Sequence, residues 1–194
     1  MARRSAPEVN AGSMADIAFL LLIFFLVTTT IETDSGISRK LPPWQPEDQE
    51  PPVIKQRNIF TVLINSNNQL LVEDEEMEID DLRQAAFEFL DNGGGTGDEA
   101  CDFCQGPGDP SSSVNPEKAI ISLVNNRGTE YGTYIAVQNE LVAAYNELRD
   151  REAQRLFGKS YMQMEADLKD PRFTGNKETL KEQVEVIKTM IPQK

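Results

Sequence analysis

The chain has 194 residues, enough for one membrane span and one domain of ordinary size. It carries 19 lysines and arginines against 32 aspartates and glutamates, which gives a formal net charge of −13, and it contains no histidine. So acidic a chain is a poor ligand for nucleic acids, and the lack of histidine excludes nucleophilic catalysis of the Ser–His and Cys–His kinds.

Residues 14–31, MADIAFLLLIFFLVTTTI, form an apolar segment that contains one carboxylate, Asp16. As a helix, these residues would be about 27 Å long, just enough to cross the hydrocarbon of a bilayer. An ionised carboxylate at the centre of such a helix is unfavourable by about 2.5–3.5 kcal/mol. We therefore predict a transmembrane helix over 14–31 in which Asp16 has a functional role.

The helical wheel places Asp16 on a stripe that is small below the carboxylate and aliphatic above it. The span contains no lysine, arginine or histidine that could pair with Asp16. This face should therefore be covered by another chain or line a hydrated path. The residues that lie within about 40° of Asp16 at 100° per residue, and that we predict to face a partner, are Gly12, Leu20, Ile23, Val27 and Thr30.

Three other interpretations fit parts of the segment. A cleaved signal peptide would share the basic start, but residues 28–32, TTTIE, offer no small-x-small cleavage site. A buried helix of a soluble protein should be apolar along one stripe, whereas this segment is apolar on every face. Asp16 as a polar flank or helix cap stays open, although the start signals Asn10 and Ser13 would place it inside the first turns.

The charges on either side of the span predict its orientation. Arg3 and Arg4 precede it, whereas Glu32 and Asp34 follow it. The positive-inside bias therefore favours a short cytoplasmic stub at 1–13 and an exported C-terminal domain.

A linker and a folded domain follow the span. Residues 32–57 are predicted to be an extended linker because prolines interrupt a polar, acidic stretch that suits neither a helix nor a central strand. Residues 58–157 predict a small α+β domain in which helices pack on one sheet. Its predicted elements are strands at 58–65, 69–73 and 118–124 and helices at 79–90 and 134–157.

Two further segments complete the chain. Residues 92–116 are rich in Gly, Pro, Ser and Asp and predict a long loop inserted in the domain. Residues 158–194 predict a C-terminal helical extension, broken near Pro171, with its last helix at 177–191. Acidic side chains in and beside the loop lack the spacing of an EF-hand, so we expect a solvated loop rather than a calcium site; they are Asp91, Asp98, Glu99, Asp102 and Asp109.

Cys101 and Cys104 form a CxxC sequence within the predicted loop. One chain cannot complete a structural zinc site with them, because it has neither histidine nor a further cysteine. A loop between a helix and a strand is also not the strand-to-helix setting of a thioredoxin-like centre. We therefore expect a disulfide that closes a small loop in an exported domain, and we predict no metal and no cofactor.

Together these features resemble the ExbD/TolR family, the small subunits of proton-driven inner-membrane motors in bacteria with an outer membrane. The matching core is Asn10, then Asp16 six residues later, then an unbroken aliphatic and aromatic helix. Residues 58–90 are similar to the family's strand-turn-strand-helix, and residues 119–141 to its strand followed by a turn into a helix. The loop at 92–116 and the extension after 157 exceed the family's usual pattern.

The resemblance implies a function that is not enzymatic. It implies a proton-conducting subunit of the ExbB–ExbD type that energises TonB-dependent outer-membrane transport. The helices would form a homodimer inside a ring of a polytopic ExbB-like or TolQ-like partner, and protons would pass through Asp16. The exported domain, which would be periplasmic, would engage a TonB-like transducer.

Other functions compete with this one. A TolR-like subunit of the Tol–Pal envelope system would engage peptidoglycan instead. A membrane-anchored periplasmic binding or scaffold protein would use the span as a passive tether. A redox enzyme that uses Cys101 and Cys104 is a third class.

Overall fold

The computed structural model describes residues 11–28 and 54–194, which belong to two separate compact units. The first unit contributes one helix and the second a folded domain. The predicted stub at 1–13, the end of the predicted span and most of the predicted linker at 32–57 lie largely outside the described residues, as does Thr30.

The first unit contains α1 (Ala11–Thr28), an 18-residue helix. It begins three residues before the predicted span because Ala11, Gly12 and Ser13 continue the same helix. At its end the Thr28 Oγ1 donates a hydrogen bond of 2.7 Å to the Phe24 carbonyl one turn earlier. Among the described helices, α1 alone is long and apolar enough to cross a membrane.

The second unit confirms the predicted α+β class. Its strands are β1 (Ile59–Ile64), β2 (Leu70–Val72), β3 (Glu75–Met77) and β4 (Ile120–Asn125). They form one mixed sheet in the order β3-β2-β1-β4, in which β1 and β4 run parallel and the other neighbours run antiparallel. Its helices are α2 (Ile79–Asp91), α3 (Tyr131–Phe157), α4 (Tyr161–Lys169) and α5 (Lys177–Met190).

Helices cover one face of this sheet. On β1, Phe60, Val62 and Ile64 are buried while the residues between them are half-buried, as expected for a strand with one face on the core. The helix α2 lies in the connection from β3 to β4 and packs on α3. Their buried faces complete the main core through Leu82, Ala86, Phe89, Leu90, Val137, Leu141, Ala144, Tyr145 and Leu148.

Sequence patterns missed two of these elements. The strand β3 is short and acidic, and it follows a two-residue turn in which Glu73 and Asp74 have φ angles of 52° and 71°. Such turns usually carry Asn-Gly or Asp-Gly, so this one has no clear sequence signal. The helix α4 has only two buried side chains, Tyr161 and Met164, which is too few for a helical period.

The extension after residue 157 folds back onto the domain. Gly158, with a φ of 65°, ends α3 in the left-handed conformation that favours glycine. A second hydrophobic cluster then joins α3, α4 and α5. Beyond α5, Ile191 reaches the main core and the Ile121 N–H of β4 donates to the Lys194 carbonyl at 3.2 Å.

Asn92 holds the 92–116 loop in place. Its side chain is 2% exposed, and its Nδ2 donates to the carbonyls of Asp109 at 2.9 Å and Ser113 at 2.7 Å. Its Oδ1 accepts from the Asp109 N–H at 2.9 Å. One side chain at the end of α2 therefore satisfies backbone groups on the far side of the loop, which is ordered without a strand or long helix.

We expect Asn92→Ala to lower the free energy of unfolding by about 2–3 kcal/mol, because it removes three hydrogen bonds and leaves buried backbone groups unpaired. Urea unfolding of the full chain in detergent, followed by circular dichroism, measures the change. The matched control is Asn67→Ala at an exposed position, which should change stability by less than about 0.5 kcal/mol. Equal effects of the two substitutions would show that the hydrogen bonds of the Asn92 side chain contribute nothing to the free energy of unfolding.

Candidate functional site

Asp16 is the sixth residue of α1, about 8 Å along the helix from its first residue. A helix that begins at Ala11 leaves Asp16 beyond the capping position, so the interpretation of Asp16 as a helix cap does not fit. The eleven residues that follow, from Ile17 to Val27, have no polar atom in their side chains. Asp16 is thus an acid within one end of an otherwise apolar helix.

The helix brings most of the predicted face together. By helical geometry, one side of α1 carries Asp16 together with Gly12 before it and Leu20, Ile23 and Val27 after it. Leu20 is 57% exposed, Ile23 41% and Val27 77%, and Phe25 on the opposite side is 59% exposed. Exposure therefore does not single out one side, and the partner-facing roles stay predictions.

The chemistry available on α1 is that of one carboxyl group. Within residues 11–28, Asp16 is the only side chain that can ionise at neutral pH. Residues 11–28 offer it no cation, so compensation of its charge would come from outside α1. A carboxyl group can both bind and release a proton.

A group of charges in the folded domain, which we call the Glu99 cluster, surrounds the carboxylate of Glu99. The Lys118 Nζ lies 2.7 Å from its Oε1, the Lys55 Nζ 3.0 Å from its Oε2, and an Arg57 nitrogen 3.9 Å from that oxygen. Hydrogen bonds from Lys118 and Lys55 lower the pKa of Glu99 to about 2. The cluster ties the first described residues of the domain to the loop and to the approach to β4.

Two further contacts strengthen this attachment. The Arg57 Nη1 donates to the Pro110 carbonyl at 2.7 Å, and the Asn58 Oδ1 accepts from the Val114 N–H at 3.1 Å. The loop therefore binds the chain where it enters β1. Sequence analysis missed this function of the loop, although the basic residues before β1 and the acidic loop were a usable signal of charge complementarity.

Asp91 also corrects the expectation of a solvated acidic loop. It is 3% exposed, and both of its oxygens accept hydrogen bonds of 2.6 Å from the Arg151 guanidinium. The Arg151 Nε reaches the buried Glu152 at 3.3 Å, and Arg155 reaches the same carboxylate at 2.6 Å. Every charge here is paired, so this network joins α2 to α3 rather than forming a reactive site.

The structure joins Cys101 and Cys104 in a disulfide, with Cα atoms 5.5 Å apart. Within residues 11–28 and 54–194, no group of three or more Cys, Asp or Glu residues is arranged to hold a metal ion.

A cleft of about 520 Å³ lies at one end of the sheet. Its one ionisable side chain, Glu76, accepts a hydrogen bond from Gln69 at 3.0 Å. The rest of the lining is aliphatic or amide: Leu63, Ile64, Asn65, Leu70, Leu71, Val124, Asn125 and Asn126. This composition presents no nucleophile with a base beside it.

Comparison with known proteins identifies a family for this chain. The family model described as Biopolymer transport protein ExbD/TolR matches residues 2–149. The chain is also similar to the biopolymer transport protein exbD2 of Vibrio cholerae serotype O1, with 28% identity over 88 residues, or 45% of this chain. That match covers 61% of the relative's length. The family match ends inside α3, so α4 and α5 lie beyond it.

The Glu99 cluster should make stability depend on pH. Because the pKa of Glu99 falls from 4.5 to about 2 on folding, its contribution is complete above about pH 4.5 and disappears as the pH falls through about 2. We expect the stability difference between the unaltered chain and Glu99→Gln to be constant above pH 5 and to shrink below pH 4.5. Urea unfolding between pH 2 and 7 measures this difference.

Glu182, an exposed carboxylate on α5, provides the control. The difference between the unaltered chain and Glu182→Gln should show no comparable change over the same range. A Glu99→Gln difference that stays flat from pH 7 to pH 2 would contradict the assigned cluster.

Proposed function

The chain belongs to the ExbD/TolR family of biopolymer transport proteins, and from this premise we propose that it is the proton-conducting subunit of an inner-membrane motor of the ExbB–ExbD type. Such a motor energises TonB-dependent transport across the outer membrane. The observation that carries the proposal is Asp16, the one ionisable side chain on an 18-residue helix that is apolar on every side. The proposed role is that of a proton carrier, not of an enzyme.

Members of this family are envelope-associated components of transport complexes that work with other membrane proteins. For this chain we infer a ring of a polytopic ExbB-like or TolQ-like protein around a homodimer of α1 helices. Gly12, Leu20, Ile23 and Val27 would then face the partner together with Asp16. The lack of a cation on α1 supports this arrangement, because a second chain must supply the polar surroundings of the carboxylate.

The proton cycle follows from the cost of charge in hydrocarbon. Protonated Asp16 is neutral and can move past an apolar wall, whereas ionised Asp16 is held where water or a cation compensates it. Asp16 would take up a proton where it meets water from one side of the membrane and release it where it meets water from the other side. Relative rotation of α1 and the ring would carry Asp16 between these two positions and so couple proton transfer to mechanical work.

The Glu99 cluster supports a route for that work into the exported domain. Force from α1 would pass through the linker at 32–57 and reach the domain just before β1. Lys55 and Arg57 attach that point to Glu99, and β1 lies between β2 and β4 in the sheet. A pull on the linker is thus distributed over a central strand and the loop.

The exported domain, periplasmic in this proposal, would engage a TonB-like transducer. Similarity to the V. cholerae relative, an ExbD-type protein, favours this system over the TolR-like role in the Tol–Pal system with peptidoglycan as partner. A passive membrane-anchored scaffold is the remaining alternative, and it assigns Asp16 no chemistry.

Asp16→Asn tests the carrier role, because the amide keeps the shape and hydrogen-bonding ability of the side chain but cannot exchange a proton at physiological pH. We expect the variant to insert and assemble normally yet to lose proton flux and TonB-dependent uptake by at least about tenfold. Flux through proteoliposomes containing the ring partner and uptake in cells at matched expression measure the two effects. Asp16→Glu should retain part of both.

Asp34→Asn is the matched control, since it removes a carboxylate just outside the predicted span. It should leave flux and uptake near normal. Full activity of Asp16→Asn would contradict the assignment of Asp16 as a proton carrier. It would favour the alternative in which the span is a passive tether.

The topology is a separate prediction. Arg3 and Arg4 before α1 favour an N-terminus in the cytoplasm and residues 54–194 outside it. A periplasm-dependent reporter fused after Lys194 should be active, and a cytoplasm-dependent reporter at the same position should be inactive. The opposite pattern would place the domain on the wrong side for a TonB-linked motor.

A further inference from the structure

The Cys101–Cys104 disulfide lies beside a cleft that one of its two cysteines lines. Cys101 lines a cleft of about 340 Å³ between the loop and the ends of α3 and α5. Cys104 does not line it and instead packs on Gly93, where an added Cβ would lie 2.8 Å from the Cys104 Cβ. Both cysteines are half-buried, but Cys101 lines the cleft and Cys104 does not, so the cleft offers a path to Cys101.

A hydrogen bond also distinguishes the two sulfurs. The backbone N–H of Cys104 donates to the Cys101 Sγ at 3.2 Å. A donor aimed at sulfur favours the thiolate over the thiol, and the thiolate is the reactive form in thiol–disulfide exchange. Arg155 also lines this cleft, but its guanidinium is paired with Glu152 at 2.6 Å. The Cys104 N–H is therefore the group that favours negative charge on Cys101 once the disulfide is open.

Contacts that do not involve sulfur hold the loop on both sides of Cys104. The N–H groups of Gln105 and Gly106 donate to the side chain and carbonyl of Asp91 at 3.2 Å and 3.0 Å. Arg151 donates to the Phe103 carbonyl at 3.2 Å. The two sulfurs should therefore stay neighbours after reduction, so the disulfide can form again without refolding of the loop.

From this arrangement we infer that Cys101–Cys104 is an exchangeable disulfide that accepts electrons from a dithiol, and that Cys101 is its reactive member. A thiolate of the dithiol attacks the Cys101 Sγ, the S–S bond breaks, and Cys104 leaves as a thiolate that takes up a proton. The second thiolate of the dithiol then attacks the first sulfur of the same dithiol, which is bonded to Cys101 in the mixed disulfide. This attack releases Cys101 as a thiolate. The chain gains two electrons and the dithiol becomes a disulfide.

The charges of the cleft select among dithiols. Its lining contains two carboxylates, Asp102 and Glu117, against the single guanidinium of Arg155. The whole chain carries a formal charge of −13. Neutral dithiols, including cysteine pairs presented by a protein, should therefore react faster than small anionic ones. Both carboxylates are exposed, so their repulsion of an anionic dithiol should weaken as salt is added.

Alkylation of the full chain in detergent compares the two cysteines. Cys104→Ser leaves Cys101 with its backbone donor, and Cys101→Ser leaves Cys104 alone. With neutral iodoacetamide at pH 7, we expect Cys101 to react at least tenfold faster than Cys104, with its half-maximal rate at a lower pH. The reduced chain without substitutions, read by peptide mass spectrometry, gives the same comparison if a variant folds poorly.

Reduction of the oxidised chain tests the exchange itself. Dithiothreitol, a neutral dithiol, should open the disulfide in the folded chain at least fivefold faster than dimercaptosuccinate, a dicarboxylate, after each rate is divided by that reagent's rate on the urea-unfolded chain. Equal alkylation of Cys101 and Cys104, or a disulfide that resists dithiothreitol until urea unfolds the chain, would overturn the inference. Asp16→Asn should react like the unaltered chain, so this result and the proton-carrier result can fail independently.

Discussion

The cost of one charge in an apolar environment is the constraint on which this chain depends. Asp16 has no cation on α1 and no polar neighbour among the eleven residues that follow it. The helix therefore cannot serve as a self-sufficient span while its carboxylate is ionised. Protonation of Asp16 or polar surroundings from outside α1 would remove this cost.

In the folded domain, a second constraint is that a long polar loop must be held in one conformation. Between α2 and β4, single side chains replace regular secondary structure: Asn92 binds backbone across the loop, Asp91 binds Arg151, and Glu99 gathers three cations. The Asn92 contacts lie within the loop, whereas Asp91 joins α2 to α3 and Glu99 reaches residues on both sides of the loop. The insertion is therefore a structural part of the domain that fixes where the chain enters β1.

Strong periodic patterns made much of the fold predictable. The strand β1 and the helix α2 bury side chains with a regular period, and α1 is a long run of apolar residues; sequence shows both kinds of pattern directly. Asp91 and Glu99 were harder, because a carboxylate looks the same in sequence whether it is solvated or meets an arginine from a helix 60 residues away. Asp16 was easy to single out because an acid in an apolar run is conspicuous without any partner, and its role stays a prediction.

The last residues of the chain have a consequence for how copies of the domain meet. An edge strand presents unpaired N–H and C=O groups on which a neighbouring chain can build a continuous sheet. On β4 the Ile121 N–H is already bonded to the Lys194 carbonyl, and the Lys194 Nζ reaches the Glu117 carbonyl at 2.7 Å. These C-terminal contacts thus occupy part of that edge and disfavour strand-to-strand association between copies of the domain.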